Sequence, residues 1–191
     1  RSCLQGTGAG KRARALARLD AMARLDLRSS SVDLTRAICD MPSVSGDEAS
    51  LADAIFAEID PLDHLDVHRE GNTIVARTHL GRAQRVVIAG HIDTVPINRN
   101  LPTRDIDVDG EPFLWGRGTV DMKGGTAVQL KLAAELSEPR VDITWMWYDN
   151  EEVDSDRNGL TRLARTRPDL FAGDFAILGE PSNGGVEGGC N

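Results

Sequence analysis

Three short apolar runs end in residues that can bind a metal ion or move a proton. The runs "RVVIAGH", "VDITWMWYD" and "DFAILGE" span residues 85–91, 141–149 and 174–180. Short runs rich in β-branched and large apolar residues are typical of strands that are buried inside a sheet. A stretch with helical spacing at 124–137 lies between the first two runs. The sequence therefore predicts an α/β layered domain with a mostly parallel sheet.

Capping residues, prolines and glycines predict the remaining elements. They are a helix that starts at a Ser/Asp cap within residues 29–33 and ends before Pro42, a helix over 47–59, a hairpin around Gly71 and Asn72, and a short helix over 158–166. The polar segment from Asn98 to Pro112 is predicted to be an irregular loop, long enough to be functional.

Four residues near the ends of these elements are candidate metal ligands. They are His91 in "GHIDTVP", Asp121 in "GRGTVDMKGG", Glu152 in "YDNEEVDS" and Glu180 in "LGEPS". An imidazole with several carboxylates and no thiolate is a ligand set that suits zinc or a similar divalent ion. An open α/β sheet usually builds its site from groups at several strand ends, so we expect these four side chains to converge.

Two further acids are candidate catalytic residues. Asp93 lies two positions after His91, so both side chains can point to the same face of a strand end. A carboxylate there can accept the second ring N–H of a metal-bound imidazole. Glu151 is adjacent to Glu152, and neighbouring side chains diverge. One of the pair can therefore bind metal while the other acts as a base.

Each motif also has a simpler interpretation when it is taken alone. His91 could be a structural histidine, Asp121 could cap the following helix, and the two glutamates could lie in a solvated loop. The glycines around Asp121 favour a tightly shaped turn instead. The occurrence of all the motifs in one chain favours a metal site over these separate explanations.

Composition excludes several classes of protein. The chain has 191 residues, enough for one core of ordinary size. Its net charge of −8 argues against nucleic acid as the main partner. No apolar run approaches the ~20 residues of a membrane helix, so no membrane partner is predicted. Cys3, Cys39 and Cys190 form no CxxC pair, which fits the reducing cytoplasm.

The first 21 residues are basic and carry one acid, Asp20. A basic, acid-poor start is typical of a targeting leader. An overextended translation whose true start is Met22 is the alternative that we favour. Either interpretation predicts that residues 1–21 lie outside the folded domain.

Together the motifs resemble the dinuclear-metal aminoacylase and carboxypeptidase family of amidohydrolases, from about Ser30 to Cys190. The resemblance implies a three-layer zinc-peptidase-like catalytic domain that binds two divalent ions, Zn²⁺ or Co²⁺. His91, Asp121 and Glu180 would hold one ion. Asp121 would bridge to the second ion, which Glu152 and a later histidine also bind.

The same resemblance assigns the remaining roles as expectations. Glu151 matches the general base, and Asp93 matches the residue that orients the histidine ligand. The bridging aspartate would be followed by a cis peptide bond to Met122. Residues 22–181 would form the N-terminal part of the catalytic domain, and 182–191 would begin the connection to a dimerisation domain beyond Asn191.

The implied activity is hydrolysis of an amide bond in a small-molecule N-acyl amino acid by a cytoplasmic homodimer. The motifs are most similar to those of a deacylase of lysine and diaminopimelate biosynthesis. Acetylornithine deacetylase and metallo-dipeptidases are alternatives with the same ligands. A non-catalytic metal-binding domain is an alternative of another class, although such a domain would have no use for Glu151.

Overall fold

The computed structural model describes residues 24–189. The predicted leader over 1–21, the alternative start at Met22, and the cysteines Cys3 and Cys190 lie outside the described residues. Among the described residues, Cys39 is a free cysteine and is buried. None of the described helices is long and apolar enough to cross a membrane.

The element order confirms most of the predicted helices and strands. The helices are α1 (Ser31–Cys39), α2 (Ala49–Ile59), α3 (Lys123–Glu135) and α4 (Gly159–Thr166), with a 3-10 turn over Pro168–Phe171. The strands are β1 (Asp66–Glu70), β2 (Thr73–Arg77), β3 (Arg85–His91), β4 (Arg104–Val108), β5 (Glu111–Trp115), β6 (Asp142–Tyr148) and β7 (Phe175–Leu178). The predicted Ser/Asp cap of α1 is Ser30, whose hydroxyl accepts a hydrogen bond from the Asp33 N–H.

The central sheet has five strands in the order β1-β2-β6-β3-β7. Strand β3 lies between β6 and β7 and is parallel to both. Strand β2 is antiparallel to its neighbours β1 and β6. Four of the five strands therefore point the same way, which confirms the predicted mostly parallel, mixed sheet.

Alternate residues of β6 pack against opposite layers of the fold, because successive side chains of a strand point to opposite faces. Trp145 and Trp147 belong to a core cluster with apolar residues of α1, α2 and α3. Met146 and Tyr148 belong to a second cluster with Leu163 of α4. The sheet is thus covered on both faces, as a three-layer α/β domain requires.

The predicted loop between Asn98 and Pro112 is wrong in its second half. Residues of this segment form β4 and the start of β5, a two-stranded antiparallel hairpin that is separate from the central sheet. Its turn residues Asp109 and Gly110 have φ values of 56° and 88°, the conformation that an Asp-Gly hairpin turn adopts. Both strands are mostly exposed, and β4 has only two apolar residues, Ile106 and Val108.

Candidate metal centre

The parallel strands bring the predicted site residues to one edge of the sheet. His91 is the last residue of β3, and Glu180 comes two residues after β7. Glu151 and Glu152 follow the end of β6, and Asp121 lies just before α3. Because β3, β6 and β7 run the same way, their carboxyl ends meet at this edge.

The His91 ring is buried and has carboxylates on two sides. Its Nε2 atom lies 3.0 Å from Oδ1 of Asp121 and 3.8 Å from Oε2 of Glu180. Its Nδ1 atom lies 3.0 Å from the backbone oxygen of Asp93 and 3.5 Å from the Oδ1 atom of that residue. One ring nitrogen therefore faces candidate ligands, while the other faces Asp93.

The Asp93 carboxylate is fully buried and accepts several hydrogen bonds. Its Oδ1 accepts from the backbone N–H of Glu151 at 2.9 Å, and its Oδ2 from that of Glu152 at 3.2 Å. The Ser45 hydroxyl donates to Oδ2 at 2.7 Å. Asp93 thus fixes the position of His91 relative to the turn that contains Glu151 and Glu152.

The atoms of three predicted ligands come close enough to share an ion. One ligand atom each from His91, Asp121 and Glu152 lies within 4.8 Å of the others. Glu180 joins this group through His91 Nε2. Within residues 24–189, no hydrogen bond of the Glu151 carboxylate is found, although its backbone is held by Asp93. How the ligands divide between two ions stays a prediction.

The acids of this edge raise one another's affinity for protons. Burial, followed by the nearby charge of Asp121, raises the pKa of Glu152 above its usual range. Burial also raises the pKa of Glu180; the charge of His91 acts to lower this pKa, whereas the charges of Asp121, Glu151 and Glu152 add to the increase. Among the described residues, no Lys or Arg lies within ion-pairing distance of these carboxylates, and His91 is their one basic neighbour.

His91 and Asp93 shift in opposite directions. Burial lowers the pKa of His91, but the carboxylates of Asp93, Glu180 and Asp121 outweigh it and raise the pKa to about 9. Burial acts to raise the pKa of Asp93, but hydrogen bonds from His91, from Ser45 and from the following glutamate turn lower it below the usual range. The edge therefore carries surplus negative charge, which a bound cation would neutralise.

The donor set and spacing fit a divalent ion. Ligand atoms at about 2 Å from zinc lie roughly 3–4 Å from one another in a tetrahedral site. The distances from His91 Nε2 to Asp121 and Glu180, 3.0 and 3.8 Å, fall in this range. Imidazole nitrogen and carboxylate oxygen are ligands that zinc accepts, and no sulfur is needed.

The expected cis peptide bond after Asp121 is wrong. Among residues 24–189, the cis peptide bond joins Leu101 and Pro102, so the bond from Asp121 to Met122 is trans. A cis bond before a residue other than proline costs about 3–4 kcal/mol. Met122 instead leads directly into α3 as its N-cap residue, with φ −120° and ψ 29°.

Some residues that hold the site were not predicted. The Met122 sulfur accepts the backbone N–H of His91 at 3.3 Å, and the Thr126 hydroxyl donates to the backbone oxygen of His91 at 3.0 Å. Ser45, which contacts Asp93, and Lys123, which bonds across the Asp121 turn, also hold the candidate ligands in place. Their one sequence signal is proximity to the "DMKGG" and "SVSG" turns.

The other three histidines of the chain are held elsewhere. His64 bonds to the backbone oxygen of Ala133, His79 pairs with Asp66, and His68 contacts Arg167. Within this chain, His91 is thus the one histidine at the site.

Comparison with known proteins places the chain in a family. The sequence profile of "Peptidase family M20/M25/M40" matches residues 87–189, and the chain belongs to this family. It is 47% identical over 167 residues to a putative succinyl-diaminopimelate desuccinylase of Mycobacterium tuberculosis, covering 87% of this chain and 46% of the relative. It is 43% identical over 171 residues to the succinyl-diaminopimelate desuccinylase of Corynebacterium glutamicum, covering 87% and 45%.

A solved structure supports the fold. An M20 family metallo-carboxypeptidase of Sulfolobus solfataricus superposes with a TM-score of 0.62 at 15% identity, covering 78% of this chain and 37% of that one. As the coverage of the two desuccinylases shows, the chain spans about half the length of the curated relatives that it matches.

Proposed function

We propose that the complete gene product is a metal-dependent hydrolase that removes succinate from N-succinyl-LL-2,6-diaminopimelate, in the biosynthesis of lysine and diaminopimelate. The convergence of His91, Asp121, Glu152 and Glu180 at one sheet edge supports the metal-dependent chemistry. The identity to two desuccinylases supports the substrate.

The metal assignment follows the same proposal. His91, Asp121 and Glu180 would hold one divalent ion, and Glu152 would hold a second together with Asp121 and a histidine later in the complete gene product. Zn²⁺ is the expected metal, and Co²⁺ can replace it because it accepts similar ligands. The acid surplus around Asp121 supports two cations rather than one.

Glu151 is the proposed general acid–base. Divalent ions at the site would polarise the scissile carbonyl and make a water molecule a stronger nucleophile. Glu151 accepts a proton from that water as its oxygen bonds to the carbonyl carbon. It then gives the proton to the amide nitrogen as the C–N bond breaks, which releases succinate and the free amine. The absence of a hydrogen-bond partner for this carboxylate among the described residues supports the role.

Two further features belong to the proposal. The complete gene product is a cytoplasmic enzyme and a homodimer, because the resembling deacylases have a dimerisation domain. Its partner molecule is a small N-acyl amino acid, and neither nucleic acid nor a membrane is involved.

The test is an assay of succinate release by the complete gene product. N-succinyl-LL-2,6-diaminopimelate, N-acetylornithine and a set of dipeptides are supplied in parallel, with and without a chelator. We expect the succinylated substrate to be preferred and the activity to require metal. The Glu151→Gln variant is the control for contaminating hydrolases. Preference for N-acetylornithine or a dipeptide would replace the proposed substrate, and activity unaffected by chelation would contradict the metal mechanism.

A further inference from the structure

Lys123, two residues after Asp121, is an unusual buried lysine. It is the first residue of α3 and is 1% exposed. Its Nζ donates hydrogen bonds to the backbone oxygens of Ile38 at 3.0 Å and Met41 at 2.9 Å. Within the described residues no carboxylate lies within ion-pairing distance of this ammonium. Burying a charge without an ionic partner costs free energy. We therefore expect the two hydrogen bonds of this ammonium to contribute something that offsets the cost.

The backbone and stem of Lys123 close the turn that carries Asp121. The backbone N–H of Lys123 donates to the Gly118 oxygen at 2.9 Å, across the turn that contains Asp121. Gly118 has a φ of 82°, and a Cβ there would lie 3.1 Å from Cδ of Lys123. The lysine stem is therefore packed against this turn, and displacing it would displace Asp121.

The ammonium end of Lys123 reaches a second segment, 41–45, that holds the histidine side of the site. From the Met41 carbonyl this segment runs to Ser43, whose hydroxyl donates to the Ile92 oxygen at 2.6 Å. Ser45 then donates to Asp93 at 2.7 Å. Residues 41–45 thus connect the lysine to the residues immediately after His91.

We propose that Lys123 is a positioning residue that sets the spacing between Asp121 and the His91–Asp93 pair. Its stem fixes the Asp121 turn, and its ammonium fixes segment 41–45 against that turn. The role concerns the metal site of the proposed function, on which this inference rests. Side chains that hold metal ligands in place commonly change metal affinity by 10–100-fold when they are removed.

The decisive variant is Lys123→Met in the complete gene product, with Lys131→Met as its matched control. Methionine keeps an unbranched apolar stem and removes the hydrogen bonds. Lys131 lies on the same helix and also donates to a backbone oxygen, that of Ser29 at 3.0 Å, but it is partly exposed and pairs with Glu135. Both variants are compared with the unchanged protein at a temperature where circular dichroism shows all of them folded.

Zinc affinity is measured by calorimetry, and the geometry of the site by the visible absorption spectrum of the Co²⁺ form. We expect Lys123→Met to lower zinc affinity by about 10–100-fold and to alter the cobalt spectrum. Lys131→Met should change neither. Wild-type affinity and spectrum in Lys123→Met would overturn the inference, as would equal losses in both variants.

A second variant keeps the proposal testable if Lys123→Met does not fold. Ser43→Ala cuts the connection at Ile92 without changing the lysine. It should lower zinc affinity in the same direction, by less than Lys123→Met, and an unchanged affinity would overturn the inference. Failure of the unchanged protein to bind zinc would contradict the proposed function itself, a result distinct from equal binding by wild type and variants.

Discussion

The two ends of strands β3 and β6 each place a buried aspartate next to hydrogen-bond donors that lower its pKa, but the charges around the two aspartates differ. At the amino end, Asp142 accepts hydrogen bonds from the backbone of Leu80 and Arg82 and from the Thr78 hydroxyl, with Arg85 3.8 Å away. At the carboxyl end, Asp93 is equally well bonded, but it lies among acids that have no Lys or Arg partner within residues 24–189.

The pKa values record the difference. Burial acts to raise the pKa of Asp142, but hydrogen bonds from Leu80, Thr78 and Arg82 lower it to about 2. Glu152 and Glu180 at the other end have raised pKa values because of burial and mutual repulsion. At the amino end, the negative charge is thus stabilised by residues of the protein. At the carboxyl end, a bound cation would stabilise the excess negative charge. Perturbed acids in a cluster of this kind are typical of functional sites.

The largest effect should come from removing the proposed base at the carboxyl end. Glu151→Gln should lower kcat by roughly 10²–10⁴-fold or more, because general acid–base catalysis contributes about that much. Its metal content should stay near normal, since Glu151 is not a proposed ligand. Turnover and elemental analysis are measured on the same preparation.

Glu152→Gln is the matched control for this change, since it alters the neighbouring residue in the same way. It should instead reduce metal content. Equal metal loss in the two variants would contradict the different roles of the adjacent glutamates.

The next largest effect should come from Asp121, the proposed ligand of both ions. Asp121→Ala should lower the occupancy of both metals, because a bridging carboxylate contacts both ions. His91→Ala should affect mainly one. Metal per protein is measured by elemental analysis after gel filtration, and unchanged stoichiometry in Asp121→Ala would exclude a bridge.

At the amino end the expected effect is on folding alone. Asp142→Asn should reduce the free energy of unfolding by about 1.5–3 kcal/mol, the usual worth of a hydrogen bond to a charged group. Zinc affinity should not change, because Asp142 lies at the opposite end of β6 from the glutamate turn. Urea unfolding and zinc calorimetry are compared between this variant and the wild type.

The pH dependence of the stability difference between wild type and Asp142→Asn tests whether the charge of Asp142 causes it. The pKa of Asp142 is about 2 in the folded protein, below the ordinary value of 3.8. Its ionised form therefore favours the folded state, and this contribution is present above about pH 4 and is lost as the pH falls through about 2. The gap between wild type and Asp142→Asn should narrow over that range. A gap that persists at pH 2 would point to packing rather than charge.

The smallest expected effect is a change in thermal midpoint that has opposite signs in Glu152→Gln and Asp142→Asn. The raised pKa of Glu152 means that its ionised form disfavours the folded state without metal. Glu152→Gln should therefore slightly raise the thermal midpoint of the metal-free protein at pH 7, whereas Asp142→Asn lowers it. A lower midpoint in both variants would show that the two ends do not differ in this way.

Much of this architecture could be predicted from the sequence. Strands β3, β6 and β7 are marked by apolar runs that end in or are followed by a histidine or acids, so the convergence of these residues followed from parallel strands. The β4–β5 hairpin had a weaker signal that was overlooked: Asp109-Gly110 is a hairpin dipeptide, and Ile106 and Val108 alternate with acids before it. Lys123 was missed for a different reason: a lysine beside glycines is usually solvated, and only the tertiary fold provides its two carbonyl partners.

The trans bond after Asp121 shows a second limit of prediction from the sequence. The expectation of a cis bond came from resemblance, whereas the chain enters α3 without it. The contacts of Ser45 and Thr126 with the site also depend on residues 48 and 35 positions away in the sequence, which no local pattern indicates.

The exposure of strand β7 affects how the proposed site would release a bound ion. Among residues 24–189 this strand pairs with β3 alone, and all of its residues are exposed, whereas β6 is paired on both sides and buried throughout. Segments with few buried contacts open locally at low free energy. In this chain the amide hydrogens of β7 should exchange with deuterium sooner than those of β6. The Glu180 carboxylate, tethered to this strand, should then be the first donor to detach, so that a chelator strips the ion it holds through a brief fraying of the sheet rather than through unfolding of the whole domain.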